Sequence, residues 1–275
     1  EAPLLFRPQL DWDQWRWGLK FLAQCNDTAF ERNVQQIVAL GAYSHAALKD
    51  VVRATGIQYH RLECGIAHFY SDQKSLDEAG HAVEVMRKFG VQRRLVSRAE
   101  LLQIEPAFSA YGERITGGTY TSTDESGDAR LFTQQLARRC AERGAQFLYG
   151  HDVLRLNKTG NTIDSVAVSA IQSGATGQKH SILKGDAIVV ACGSYSAPLL
   201  RSVGVDLPIY PGKGYSATFP LLRPEAAPLV SAIDDGKKLA MSRLGDVLRV
   251  AGTIELGGFD LSLDNPVAKA RCHLL

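Results

Sequence analysis

The sequence predicts a mixed α/β chain, and three stretches carry that prediction. Ala187-Ile188-Val189-Val190 runs apolar without alternation and exits through Ala191-Cys192-Gly193. A strand buried on both faces of a parallel sheet reads this way, and small residues at its carboxyl end let backbone lie close to a ligand. Upstream, Asp128 can cap a helix over 129–143, with Leu131, Phe132, Leu136 and Cys140 at helical spacing and Gly144 at the stop. Short strands follow at 145–149, 153–156, 163–170 and 181–183, punctuated by Lys158-Thr159-Gly160-Asn161 and Ser173-Gly174-Ala175-Thr176-Gly177 turns. After Leu207 the pattern turns to strands at 215–219, 238–242 and 247–253, the last two joined as a hairpin through Leu244-Gly245-Asp246.

The first half reads as helices with isolated strands. Trp12, Trp15, Leu19 and Leu22 share one helical face, read first as a core-facing stripe and second as a membrane-surface stripe. Val38, Gly41, His45, Leu48 and Val52 mark a second helix ending at Gly56, with His45 read as a packed core histidine. Residues 63–70 form a strand. Leu76, Ala79, Val83 and Met86 give another helix, ended by Gly90, and Ser97 with Glu100 forms a capping box for a short helix before Pro106. Asp124, Glu125 and Asp128 beside Gly127 read as turn and cap residues.

Composition narrows the function classes. The chain has 275 residues, 45% hydrophobic and 22% charged, with a net charge of +2, so no electrostatic footprint for nucleic acid exists. No apolar run reaches the ~18–20 residues of a membrane-spanning helix. Five cysteines, an odd number without a Cys-x-x-Cys pair, suit reduced thiols and a cytoplasmic setting. Seven histidines include no i,i+4 pair and no His/Cys cluster, so no metal site is expected. No Ser/His/Asp or paired-carboxylate arrangement marks a catalytic residue.

The order helix, strand, three-stranded meander, buried strand, glycine resembles the flavin-binding domain of the FAD oxidoreductase superfamily. There the strand carries Asp-x-Val-Val-x-Ala-x-Gly; here it is Asp186-Ala187-Ile188-Val189-Val190-Ala191-Cys192-Gly193. Gly193-Ser194-Tyr195-Ser196 resembles the Gly-x-Trp/Tyr-Ser of the amine- and amino-acid-oxidising branch. Tyr210-Pro211-Gly212-Lys213-Gly214-Tyr215-Ser216 and Val247-Leu248-Arg249-Val250-Ala251-Gly252-Thr253-Ile254-Glu255 resemble two further segments of that branch. Thr123-Asp124-Glu125-Ser126-Gly127-Asp128, continuing to Leu131-Phe132-Thr133-Gln134, is similar to a segment of the bacterial D-amino acid dehydrogenases. The Leu19 to Asn26 tract and Ala54-Thr55-Gly56-Ile57-Gln58-Tyr59 are similar too. Gly212-Lys213-Gly214-Tyr215-Ser216-Ala217 also satisfies Gly-x-Gly-x-x-Ala, but the surrounding prolines exclude a helix, so it reads as a strand entry.

The resemblance implies a partial Rossmann-like FAD-binding domain with a β-meander crossover, and a discontinuous substrate domain of antiparallel sheet and helices. It places residues 1–125 and 207–275 in the substrate domain and 126–206 in the FAD-binding domain. It implies that this chain is an internal piece of a longer enzyme, lacking both terminal flavin-binding segments and inactive by itself, in which FAD need not be held. The implied reaction is oxidative deamination of a D-amino acid: hydride leaves the α-carbon for flavin N5, and water converts the imino acid to keto acid and ammonia. Val153, Ala191, Cys192, Gly193 and Tyr195 are the implied FAD contacts, and Tyr215 the implied substrate-side residue. Glu255 is read as facing either the pocket or solvent. The implied partners are a D-amino acid, an electron acceptor of the respiratory chain and, peripherally, the inner membrane. The alternatives are a sarcosine- or glycine-oxidase type of amine oxidase, or a flavin-free, non-catalytic domain of the same fold.

Overall fold

The computed structural model describes residues 3–171 and 180–266. In chain order the elements are β1 (Leu4–Phe6), α1 (Trp12–Leu22), α2 (Asp27–Thr55), β2 (Ile66–Tyr70), α3 (Gln73–Lys88), β3 (Arg93–Ser97), α4 (Arg98–Ile104), β4 (Gly117–Thr121) and α5 (Ala129–Glu142). Then come β5 (His151–Thr159), β6 (Thr162–Ala170), β7 (His180–Lys184), α6 (Ser196–Arg201), β8 (Lys213–Pro220), β9 (Ser231–Asp234), β10 (Leu239–Leu244) and β11 (Val247–Leu256). Segments of 3-10 helix span Pro106–Arg114, Gly193–Tyr195 and Pro224–Ala226. The fold is mixed α/β, as expected. The chain forms two compact units: one of residues 1–7, 24–140 and 212–275, the other of 8–23 and 141–211. The expected divisions stood near 126 and 207, and residues 8–23 were expected with the larger unit.

The larger unit is an eight-stranded sheet in the order β1-β11-β10-β9-β2-β4-β3, with β8 along the other edge of β11. Two pairings are parallel, β1 with β11 and β2 with β9; the others are antiparallel. Local chemistry sets the helix ends. The Asn26 and Asp72 side chains accept the backbone N–H groups of Ala29 and Ser75. Ser97 and Glu100 form the predicted capping box, and Gly56 takes the left-handed stop at φ +67°. Alternation along β2 turns Ala67 and Phe69 to one face. There they meet Val96, Leu101 of α4, Phe108 and Ile115 of the following turn, and Val230 and Ala232, the main core of the unit. Each fully buried Phe or Leu side chain contributes about 1.5–3 kcal/mol. At Gly118, a Cβ would stand 2.4 Å from the His68 carbonyl oxygen, so only glycine lets β4 lie this close to β2.

The smaller unit holds the antiparallel sheet β5-β6-β7 together with α1 and α6. The β5–β6 turn is the predicted one, with Gly160 at φ +62°; the predicted 173–177 turn lies outside the described residues. Three expectations fail here. Residues 145–149 form no strand. Residues 187–190 are unpaired, with Val189 89% exposed, and no parallel layer flanks them among the described residues. An apolar run specifies that a strand can be buried on both sides, but only neighbouring strands bury it. The core-stripe reading of α1 fails as well, since Trp12 is 76% exposed and Trp15, Leu19 and Leu22 are exposed. The helix packs by a different side. Gln14 is buried and accepts the Gln9 N–H, Trp17 stacks on Phe21 and meets Tyr210, and Arg16 and Lys20 pair with Asp206.

Candidate functional site

The smaller unit carries an open stretch of backbone at Ala191-Cys192-Gly193. Cys192 donates its N–H to Ser196 Oγ at 3.1 Å, which closes the short turn into α6. Gly193 sits at φ +56°, and a Cβ added there would meet no atom of the chain within 4 Å. Tyr195 is 53% exposed beside it, and Val153 of β5 is also exposed. The small residues expected to admit a nucleotide are thus open, and no side chain plugs them. With the Cys192 N–H already given to Ser196, what the segment offers a dinucleotide cofactor is exposed backbone without bulky side chains, beside an exposed aromatic ring.

The larger unit presents two polar clusters on opposite faces of its sheet. The first lies on the face away from Phe69, where alternation puts His68 and Tyr70. Asp235 accepts from His68 Nδ1 at 2.8 Å and from Lys238 Nζ at 2.6 Å. Lys238 reaches it from a left-handed backbone at φ +55°, a conformation that costs a side-chain-bearing residue about 1–2 kcal/mol. Burial opposes ionisation of Asp235, but the His68 and Lys238 contacts outweigh it and hold the carboxyl far below the usual range. An ionised Asp235 can only accept, so His68 Nδ1 is the donor in this contact. Burial, reinforced by the charge of Asp235, pushes the Tyr70 phenol up to about 12. Asp124 lies nearby with its carboxyl raised by burial, against the lowering pull of Arg93, His45 and His68. Glu125 receives Arg61, and Asp128 caps α5 by accepting the Leu131 N–H, the role expected of it. His45 approaches the Glu125 carboxylate at 3.9 Å instead of packing in an apolar core.

Protonating Asp235 removes this anchor, and the sign follows from its depressed pKa. The stability it contributes is present above the unfolded carboxyl value near ~4 and is lost as pH falls below it. We expect Asp235→Asn to flatten the acid limb of a stability-versus-pH curve measured by amide exchange in β2 and β9. An unchanged acid limb would remove Asp235 from the accounting.

The second cluster centres on Glu255, which is 0% exposed. Tyr215, also buried, donates its hydroxyl to Oε2 at 2.5 Å; Lys213 lies 3.5 Å from Oε2 and Arg7 3.6 Å from Oε1. Burial works against the Glu255 charge, yet the Tyr215 hydroxyl and Lys213 together hold its carboxyl below the usual range. Glu255 therefore faces neither solvent nor an open pocket. Tyr215 is fixed by Glu255 at the β8–β11 pairing. The predicted strand entry at Gly212-Lys213-Gly214 is real, since Lys213 begins β8 opposite Glu255.

Of the six residues singled out from the sequence, Ala191, Cys192, Gly193 and Tyr195 are brought together by adjacency, and Val153 lies on β5 of the same unit. The His68–Asp235 pair was missed. Its members are 167 positions apart, and neither carries a local signal.

Comparisons with known proteins bear on both units. A family model described as FAD dependent oxidoreductase (DAO) matches residues 5–274. D-amino acid dehydrogenase from Dechloromonas aromatica (strain RCB) is 45% identical over 275 residues, covering 100% of this chain and 64% of that protein. D-amino acid dehydrogenase from Paramagnetospirillum magneticum is 40% identical over 269 residues, covering 97% of this chain and 61% of the relative. The chain thus spans about three-fifths of the length of the curated relatives it matches. Among solved structures, L-proline dehydrogenase from P. horikoshii aligns at a TM-score of 0.68 and 16% identity, over 88% of this chain and 60% of that one. Glycine oxidase from Bacillus cereus ATCC 14579 aligns at 0.64 and 19%, over 88% and 60%. At these identities the likeness is one of fold.

Proposed function

The chain belongs to the FAD-dependent oxidoreductase family, and from that premise we propose that the protein is a D-amino acid dehydrogenase whose flavin and substrate sides are the two compact units. The observation that carries this reading is the 45% identity to a D-amino acid dehydrogenase along all 275 residues. Backbone at Ala191, Cys192 and Gly193 receives the FAD ribose and diphosphate, with Val153 and Tyr195 beside it. When bound, FAD supplies the hydride acceptor for oxidation of the substrate α-carbon. The chain's own residues orient and desolvate. Tyr215 is a positioning residue, which through Glu255 fixes β8 on β11 in the substrate sheet. The partners in this reading are a D-amino acid and an acceptor of the respiratory chain, reached from the cytoplasmic side. No helix among the described residues is long and apolar enough to cross a membrane. The exposed Trp12, Trp15, Leu19 and Leu22 of α1 support peripheral contact with the inner membrane.

The test is the visible flavin spectrum of the purified longer protein that contains this chain, together with its dye reduction by D-alanine, L-alanine, sarcosine and glycine. Flavin colour with turnover of D-alanine alone is expected. Turnover of sarcosine or glycine in its place would move the protein to the amine-oxidase alternative, and a colourless, inert protein would support the non-catalytic one. Gly193→Val is expected to lower flavin occupancy at least tenfold. Its own backbone strain at φ +56° costs about 1–3 kcal/mol, and a Cβ there meets no atom of the chain within 4 Å, so the thermal midpoint is read alongside. Equal flavin content in variant and parent protein would take Gly193 out of the cofactor contacts.

A further inference from the structure

The larger unit contains a cavity of about 320 Å³ on the face of its sheet that carries Phe69 and meets α4, the side opposite His68. Its walls are apolar: Phe69, Phe108, Leu239, Met241 and Val250 are among its lining residues. One end is charged. Asp234, only 4% exposed, lines the cavity from the last position of β9, where pairing with Phe69 and Leu239 turns it to the apolar side. Its Oδ1 accepts the Lys237 backbone N–H at 3.0 Å. The Lys237 ammonium stands 3.9 Å from Oδ2 and donates to the Tyr111 hydroxyl at 3.0 Å. Lys237 is half exposed, so the charged end meets solvent.

We propose that this cavity is a binding site for a zwitterionic amino acid with an apolar side chain, distinct from the residues assigned to flavin and substrate. A carboxylate almost withdrawn from water is expensive unless paired, and a volume of ~300–1,000 Å³ with a few convergent polar groups is the usual form of a small-molecule site. Asp234 and Lys237 set a negative and a positive charge side by side at the mouth. An α-amino acid carries the complementary pair on one carbon, its ammonium matching Asp234 and its carboxylate matching Lys237. Its side chain then enters the space between Phe69, Met241 and Val250. A plain amine would be repelled by Lys237 and a plain acid by Asp234, so the site selects for both charges together. The inference does not rest on the proposed catalytic reading, since no residue assigned to flavin or substrate lines the cavity.

The chain has two methionines, Met86 on α3 and Met241 in the cavity wall, so methyl-labelled methionine gives a two-signal spectrum with an internal control. Titration of the purified protein with leucine or phenylalanine, each as both enantiomers, is expected to move the Met241 methyl resonance saturably and leave Met86 in place. Asp234→Asn and Lys237→Gln should each weaken that binding at least tenfold while leaving the Met86 signal and the thermal midpoint near those of the parent. Isobutylamine and isovalerate, each with one of the two charges, should bind at least tenfold more weakly than leucine. A Met241 signal unmoved by amino acid, or moved equally by the singly charged analogues, overturns the proposal. Because no flavin is read, failure here leaves the spectral and dye tests of the catalytic reading untouched, and the reverse holds as well.

Discussion

Glu255→Ala is expected to destabilise the larger unit by about 3–5 kcal/mol, the range for removing one partner of a buried ion pair. Its carboxylate is fully enclosed, and three groups from distant positions converge on it: the Tyr215 hydroxyl, the Lys213 ammonium and the Arg7 guanidinium. Alanine leaves a buried phenol hydroxyl and a largely buried ammonium without their carboxylate. Glu255→Gln keeps an acceptor for Tyr215 and removes the charge, so an intermediate loss is expected. The pH dependence has a defined sign. A carboxyl held below its usual value contributes stability above the unfolded value near ~4.3 and loses it as pH falls through the folded value. All three tryptophans lie on α1, in the other unit, so their fluorescence reads the wrong part of the chain. Amide exchange in β8 and β11 is the suitable measurement. A Glu255→Ala protein with unchanged protection in those strands would show that the cluster is not a stabilising contact.

Glu105→Ala is expected to cost about 3 kcal/mol or more and to loosen two segments at once. Glu105 is buried; its Oε1 accepts the Ala107 N–H at 3.0 Å, and its Oε2 accepts those of Leu229 at 2.7 Å and Val230 at 2.9 Å. Each backbone donor left unsatisfied in the interior costs about 1–3 kcal/mol. The first contact fixes the turn that delivers Phe108 to the core, and the other two fix the entry to β9. Glu105→Gln retains one carbonyl acceptor and should fall between the two proteins. Protection of β9 amides and the global unfolding midpoint measure the effect. A loss confined to the 106–114 turn, with β9 intact, would contradict the coupling.

Much of the fold was legible because its signals are short-range. The Ser97–Glu100 box, the Gly56 stop, the Asp128 cap and the Leu244-Gly245-Asp246 hairpin all depend on residues within four positions of one another, and all are present. Gly193 was expected to open the carboxyl end of a buried strand; its backbone is exposed, but that strand is absent. The two misjudged apolar stretches share one cause. For Ala187–Val190 and for the Trp12–Leu22 stripe, periodicity gives the shape of the apolar surface, but burial depends on what lies against it. The short strands β1, β3, β4 and β9 were missed because three to five residues carry too little pattern to separate from loop.

The sequence by itself determined the class of fold, the Ser97–Glu100 and Asp128 caps, the Gly56 stop, the 244–246 turn and the family resemblance. The tertiary structure alone decided that Asp235 anchors His68, that Glu105 holds the entry to β9, that Glu255 closes onto Arg7, Lys213 and Tyr215, and that Asp234 and Lys237 meet at the mouth of an apolar cavity. Turn chemistry and hydrophobic period act over a few residues along the chain. A charge finds its partner across 40, 125 or 167 positions only after the sheet has set its register.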